Sequence, residues 1–169
     1  MSVGSRRIED SASLYYFWPR TENPMLMECV EGIEYTVDVY VGLEGKVHCA
    51  VPRRRIEVRS GEISKGLTEA VPEIINAATM AAEALPGPRG VLTFQCMHTE
   101  SGDAIFFELN ARFGGGAPLS IHAGANFPRW LIEETLGKAP SVGNPAFREN
   151  TLMLRYDDAV YTNEGIFCP

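Results

Sequence analysis

Apolar and polar residues alternate most regularly between Glu34 and Val41, where Tyr35, Val37, Val39 and Val41 interleave with Glu34, Thr36, Asp38 and Tyr40. A period of two predicts a strand with one face in the core and one in water. Leu43 to Gly45 predicts a hairpin connection into KVHCAVPRRRIEV, and MLMECV, residues 25–30, predicts a strand before the turn at Glu31 and Gly32. Together these give an antiparallel meander over residues 25–58. Ser60, Gly61 and Gly66 mark a polar loop.

The period then changes. Pro72 opens a helix to about Leu85, with Ile74, Ile75, Ala78, Ala81 and Ala82 on one stripe and PGPRG as its stop. GVLTFQCM and AIFFELNARF, joined by the turn SGD, form a second antiparallel hairpin, which sets Gln95 opposite Glu108. Helices are predicted from Pro118 to Ala123 and from Pro128 to Leu136, the second ending at Gly137. A loop covers 138–150, and TLMLRY is a last strand. Near the start, a short helix from about Glu9 to Trp18, capped by Asp10 or Ser11, carries the aromatic cluster Tyr15 to Trp18, which is assigned to the core. The fold class is therefore α+β, an antiparallel sheet with helices packed on it.

Composition narrows what such a domain can do. The 169 residues and their 45% hydrophobic content suit one compact domain with its own core. A net charge of −7 speaks against general affinity for nucleic acid. No apolar run approaches the length of a membrane span and the start lacks a signal-peptide core, so no membrane partner and a cytoplasmic location are expected. Cys29, Cys49, Cys96 and Cys168 fall in no zinc pattern and are expected as reduced, mostly buried thiols. His48, His98 and His122 share no ligand spacing and are expected as ordinary packed or surface histidines.

The chemistry concentrates in FFELNARFGGG, residues 106–116. On a strand, Glu108, Asn110 and Arg112 share one face, while Phe107, Leu109, Ala111 and Phe113 point the other way toward a core. A carboxylate and an amide oxygen on neighbouring positions suit a hard cation such as Mg²⁺ or Mn²⁺, and a guanidinium suits the phosphate that accompanies it. The three glycines leave backbone N–H groups open to an anion. A plain solvated strand face is the competing reading. Gln95, opposite Glu108, offers a third oxygen. Arg53, Arg54 and Arg55 form the one basic run; on a strand Arg53 and Arg55 share a face and Arg54 takes the other. Either this run blunts a charged edge strand, or Arg54 or its neighbours, with Lys65, meet an anionic substrate or a triphosphate. Ser120 and Asn126 could line an acceptor side.

These residues resemble the ATP-grasp superfamily, on the branch that looks like the large subunit of carbamoyl phosphate synthase and related carboxylate–amine ligases. FFELNARFGGG carries the resemblance most specifically, and MECVEGIEYTVDV and GVLTFQC support it in order and spacing. The resemblance implies ATP and Mg²⁺ (or Mn²⁺) as cofactors, with Gln95, Glu108 and Asn110 as metal ligands, Asn110 also on the nucleotide side, and Arg112 as the catalytic phosphate-binding residue. It implies that Glu28 accepts from the adenine amino group, the Val30 backbone reads the ring, and Glu34 binds ribose. On the residues alone, Glu28 and Glu34 flank a turn and read as solvated surface.

The implied activity is an ATP-dependent ligase joining a small-molecule carboxylate to an amine through an acyl phosphate. The domain expectation is a remnant of the small lobe and glycine-rich loop over 1–24, with SVGSRRI as its tail, the carboxyl-terminal lobe of an ATP-grasp domain over 25–156, and a tail over 157–169. Half of the nucleotide cleft would then come from a separate amino-terminal chain or lobe, and weak or no activity is expected of the chain alone. A non-catalytic module docking on such a partner is the alternative, and a homo-oligomer stays open.

Overall fold

The computed structural model describes residues 6–59, 61–159 and 161. Residues 2–5 of SVGSRRI, Ser60 and Cys168, all part of the reading above, lie outside the described residues. Six strands form one sheet in the order β5-β4-β1-β2-β3-β6, every neighbouring pair antiparallel. They are β1 (Ile33–Val41), β2 (Val47–Arg59), β3 (Glu62–Thr68), β4 (Gly90–His98), β5 (Ala104–Asn110) and β6 (Leu152–Leu154). The helices are α1 (Ser11–Phe17), α2 (Pro72–Glu83), α3 (Ala117–His122) and α4 (Phe127–Thr135), and a 3₁₀ turn covers Trp18–Arg20. The α+β class is as the sequence predicts.

One face of the sheet carries the larger apolar core. Tyr35, Val37, Val39 and Val41 of β1 join Leu92, Phe94 and Cys96 of β4 beneath the Ile74, Ala78 and Ala82 stripe of α2. The opposite face is divided along its length. At one end Tyr40, Cys49, Val51 and Val91 pack under Phe127 and Trp130 of α4, where Tyr40 and Phe127 stack with ring centroids 5.9 Å apart. At the other end the same face is polar and open. Both faces of β1 are thus covered over most of its length. The predicted half-buried strand is in fact a central, doubly buried one, because Thr36, Asp38 and Tyr40 also lie beneath other groups.

Four further expectations are corrected. MLMECV forms no strand: among the described residues, 24–32 join no β-ladder, and Met25, Leu26 and Met27 are exposed. Alternation alone cannot supply the ladder partner a strand requires. The supposed polar loop at 61–66 is mostly β3, in which Ile63 and Ser64 are buried. Gly66 there is a packing residue, since a Cβ would meet Ile63 Cδ1 at 2.3 Å. The Tyr15 to Trp18 cluster is surface: α1 buries none of its residues, and Arg20 stacks over Tyr16 at 4.2 Å. Phe107, Leu109 and Phe113 remain well exposed instead of entering the core. Cys49 and Cys96 are buried, and burial pushes both thiols up to about 12; Cys29 is exposed.

Candidate nucleotide-phosphate and metal site

Strand register assembles the polar end of the divided face. Thr36 stands opposite both Arg53 and Gln95, Gln95 opposite Glu108, and Thr93 opposite Asn110. Directly opposed residues of an antiparallel pair share a face. Side chains from β2, β1, β4 and β5 therefore form one continuous floor under a cavity of about 330 Å³, closed on the far side by Glu62 and Gly114 to Gly116.

A bulge in β5 aims this floor. Cys96 pairs with Phe106 and Gln95 with Glu108, so Phe107 is the extra residue. Before the bulge, Ala104 and Phe106 pack toward α2, with Phe106 edge-on to Phe94 at 5.3 Å. After it, Glu108 and Asn110 face the cavity, and Phe107 joins its rim. The shift in phase is the physical reason that Phe107 misses the core. Asn110 Nδ2 donates to Glu108 Oε1 at 2.6 Å, which leaves the Asn110 amide oxygen and the other Glu108 oxygen available.

Two guanidinium groups complete the floor. Arg55 Nε lies 2.9 Å from Glu34 Oε1, while its Nη1 donates to Thr36 Oγ1 and its Nη2 to the Gly61 carbonyl, each at 3.2 Å. Arg53 is buried and grips Asp38 through two bonds of 2.8 and 2.9 Å. Ser120 of α3 donates to Asp38 Oδ2 at 2.6 Å, and Thr93 reaches Oδ1 at 3.3 Å. Thr93 Oγ1 also lies 2.8 Å from the Arg112 carbonyl oxygen, where it can donate, so the sheet holds the segment after β5 by its backbone.

The glycine run owes its composition to close approach. A Cβ at Gly115 would fall 1.8 Å from Glu62 Oε2, and one at Gly116 2.0 Å from Arg53 Nη1. Only glycine lets the turn lie this close to those two side chains.

The structure brings Glu34, Gln95, Glu108, Asn110 and Arg112 to one cavity. It does not bring Glu28, Val30 or Lys65 there. Glu28 and Val30 belong to the segment before β1. Lys65 Nζ is held by Glu57 at 2.5 Å, and that bond, with one from Ser64, holds the Glu57 carboxyl down at about 2. Arg54 is on the α2 face, 3.7 Å from Glu69. Ser120 is a buried support for Asp38, and Asn126 caps α4 by accepting from the Arg129 N–H at 3.1 Å. Sequence reasoning passed over Thr36 and Glu62 as cavity residues and offered Arg55 only as a neighbour of Arg54. The shared face of Arg53 and Arg55 was the available signal for Arg55, and the two-residue phase from Glu34 was the signal for Thr36.

The chain is thus an antiparallel sheet backed by one long helix, with an oxygen-rich cavity at one end of its other face. The family described as ATP-grasp in the biosynthetic pathway with Ter operon matches residues 20–158, and the chain belongs to this family. That match carries the superfamily; the narrower likeness to carbamoyl phosphate synthase is not part of it. No curated protein matches the chain.

Among solved structures, phosphoribosylglycinamide synthetase from Anaerococcus prevotii is similar at a TM-score of 0.58 and 14% identity, over 85% of this chain and 40% of that one. The biotin carboxylase domain of 2-oxoglutarate carboxylase from Hydrogenobacter thermophilus, solved with MgADP, ADP and bicarbonate, gives 0.55 and 18%, over 71% of this chain and 28% of that one. A biotin carboxylase subunit of pyruvate carboxylase gives 0.57 and 19%, over 71% and 28%. The chain thus spans well under half the length of these proteins. Among the described residues, no helix is long and apolar enough to cross a membrane.

Proposed function

We propose that the cavity receives the phosphates of ATP together with Mg²⁺ or Mn²⁺, and that the chain is the carboxyl-terminal part of an ATP-dependent carboxylate–amine ligase. The observation that carries this reading is the row Gln95, Glu108 and Asn110, an all-oxygen donor set on adjacent strands with Arg112 beside it. Such donors suit a hard cation. Charge balance supports one: Glu34, Glu62 and Glu108 offset Arg53, Arg55 and Arg112 in the lining, so a polyphosphate entering alone would meet no net positive field. The bound cation would supply that missing charge neutralisation.

Phosphoryl transfer asks a protein chiefly for alignment and electrostatics. Gln95, Glu108 and Asn110 would hold the cation, Arg112 would hold the transferring phosphoryl group, and Glu34, fixed by Arg55, would meet the nucleoside at the open end. A substrate carboxylate oxygen attacks the γ-phosphorus and ADP leaves; an amine then attacks the acyl carbon and phosphate leaves. Glu28 and Val30 would reach the adenine only if the segment before β1 closes over the cavity. The relatives' greater length supports a further lobe, in this chain's partner or in another part of the protein, that completes the nucleotide cleft.

A second reading, a non-catalytic module that docks on such a partner, draws on the exposed Met25, Leu26, Met27 and Ile33. Calorimetric titration of ATP into the chain with and without Mg²⁺ separates the metal assignment from this alternative. Magnesium-dependent heat that Glu108→Ala abolishes is the expected result; equal heats in the two proteins overturn the assignment.

A further inference from the structure

At the other end of the same sheet face, Glu44, His48 and Glu134 turn their heads toward one point over Gly42. Glu44 lies in the turn between β1 and β2, His48 follows that turn in β2, and Glu134 stands in the last turn of α4. His48 Nε2 is 3.0 Å from Glu44 Oε1 and 3.8 Å from Glu134 Oε1. One donor atom from each residue lies within 4.8 Å of the other two. A Cβ on Gly42 would sit 2.5 Å from His48 Nε2, 2.6 Å from a Glu44 oxygen and 2.8 Å from a Glu134 oxygen. The three heads thus close over bare backbone, in a space that any side chain at residue 42 would fill.

Charge makes the cluster incomplete as it stands. Two carboxylates face one imidazole nitrogen, and among the described residues neither pairs with a lysine or arginine. A single N–H can serve one oxygen well, so even a protonated His48 leaves a surplus negative charge. Water does not simply absorb that charge at Glu134, whose side chain is only 7% exposed. Its other oxygen is already engaged by the Tyr40 hydroxyl, and the Leu43 N–H approaches Oε1 at 3.4 Å. A carboxylate oriented through one oxygen, with the second turned to a shared point, is how ligating carboxylates are held.

We propose that Glu44, His48 and Glu134 form a binding site for a borderline divalent ion, with Zn²⁺ as its representative. One imidazole nitrogen with two carboxylate oxygens suits Zn²⁺ or a similar first-row ion better than Mg²⁺, which keeps to oxygen and water. Solvent completes the coordination shell on the exposed Glu44 side. The ion ties the β1–β2 turn to the end of α4, the helix whose Phe127 and Trp130 cover Tyr40. The site shares no residue with the nucleotide cavity, so the two readings stand or fall separately.

Calorimetric titration of ZnCl₂ into the chelator-stripped full chain, paired with thermal unfolding, tests the site. One ion per chain is expected, with a rise in Tm. His48→Asn and Glu44→Gln, both near the exposed turn, should each weaken binding at least tenfold and remove the Tm rise, while Cys29→Ser changes neither. Glu134→Gln should do the same if it folds; the two turn variants suffice if it does not. Absence of Zn²⁺ binding overturns the proposal, as does binding that survives His48→Asn and Glu44→Gln or disappears in Cys29→Ser.

Discussion

Two ion pairs join the same two strands, their arginines two residues apart, and have opposite fates. Arg53–Asp38 is sealed, with both side chains essentially inaccessible, beneath α3 and the glycine turn, and four protein groups compete for the Asp38 oxygens. Arg55–Glu34 has comparable length, yet Glu34 is 35% exposed and the pair opens onto the cavity. Both join a β2 arginine to a β1 carboxylate, Arg53 diagonally because Asp38 stands opposite Val51, and cover is the larger difference. Where helices roof the face, charge serves cohesion, and where they stop, charge is left for a ligand.

Stability measurements should reproduce that division. Asp38→Ala strands a buried guanidinium and should cost about 3–5 kcal/mol, read as a lowered urea midpoint. Glu34→Gln at the open pair should cost no more than about 1 kcal/mol. Equal losses would erase the distinction.

The glycine turn gives an intermediate effect. Gly116→Ala pushes a Cβ against Arg53 Nη1, which is anchored to Asp38, and against Ile63. A loss of about 1–3 kcal/mol follows from overpacking. Gly115→Ala meets the Glu62 carboxylate, the free end of a flexible side chain, and should cost less. Thermal unfolding of the two variants side by side would show whether the roof over Arg53 is as tight as drawn.

The smallest effect concerns pH. Glu57 is held at about 2 by Lys65 and Ser64, below its ordinary 4.5. A depressed folded-state value means that its contribution is complete above about 4.5 and fades as pH falls toward 2. Glu57→Gln should therefore lower stability slightly near neutrality, where that contribution is complete, and flatten the curve within that window, the two proteins converging at its acid end. An unaltered acid limb would show that Lys65 does not hold Glu57, and would free the lysine for other roles.

What the sequence shows of this molecule depends on the range of the contacts involved. The β4–β5 hairpin is legible because SGD and two flanking apolar runs are local, and the turn sets the register from His98 and Ala104 to Cys96 and Phe106, after which the bulge brings Glu108 opposite Gln95. The α2 stripe is legible for the same reason. By contrast, β3 hides behind two glycines, one needed for the turn and the other for Ile63, a contact that composition does not reveal. The bulge at Phe107 depends on pairing with β4 and shifts the phase that simple alternation assumes. Arg53 reads as one of three surface arginines until α3, far along the chain, delivers Ser120 to its partner. Glu134 is likewise invisible beside Glu44 and His48 because it lies 86 positions beyond the histidine.

The side-chain amides of Gln95 and Asn110 give the most direct view of whether the open end receives a cation and a polyphosphate. Substoichiometric MnATP added to ¹⁵N-labelled protein should broaden both signals beyond detection and leave that of Asn76, on α2 across the sheet, sharp. Sharp Gln95 and Asn110 signals in the presence of bound MnATP would place the cation elsewhere and contradict the assignment.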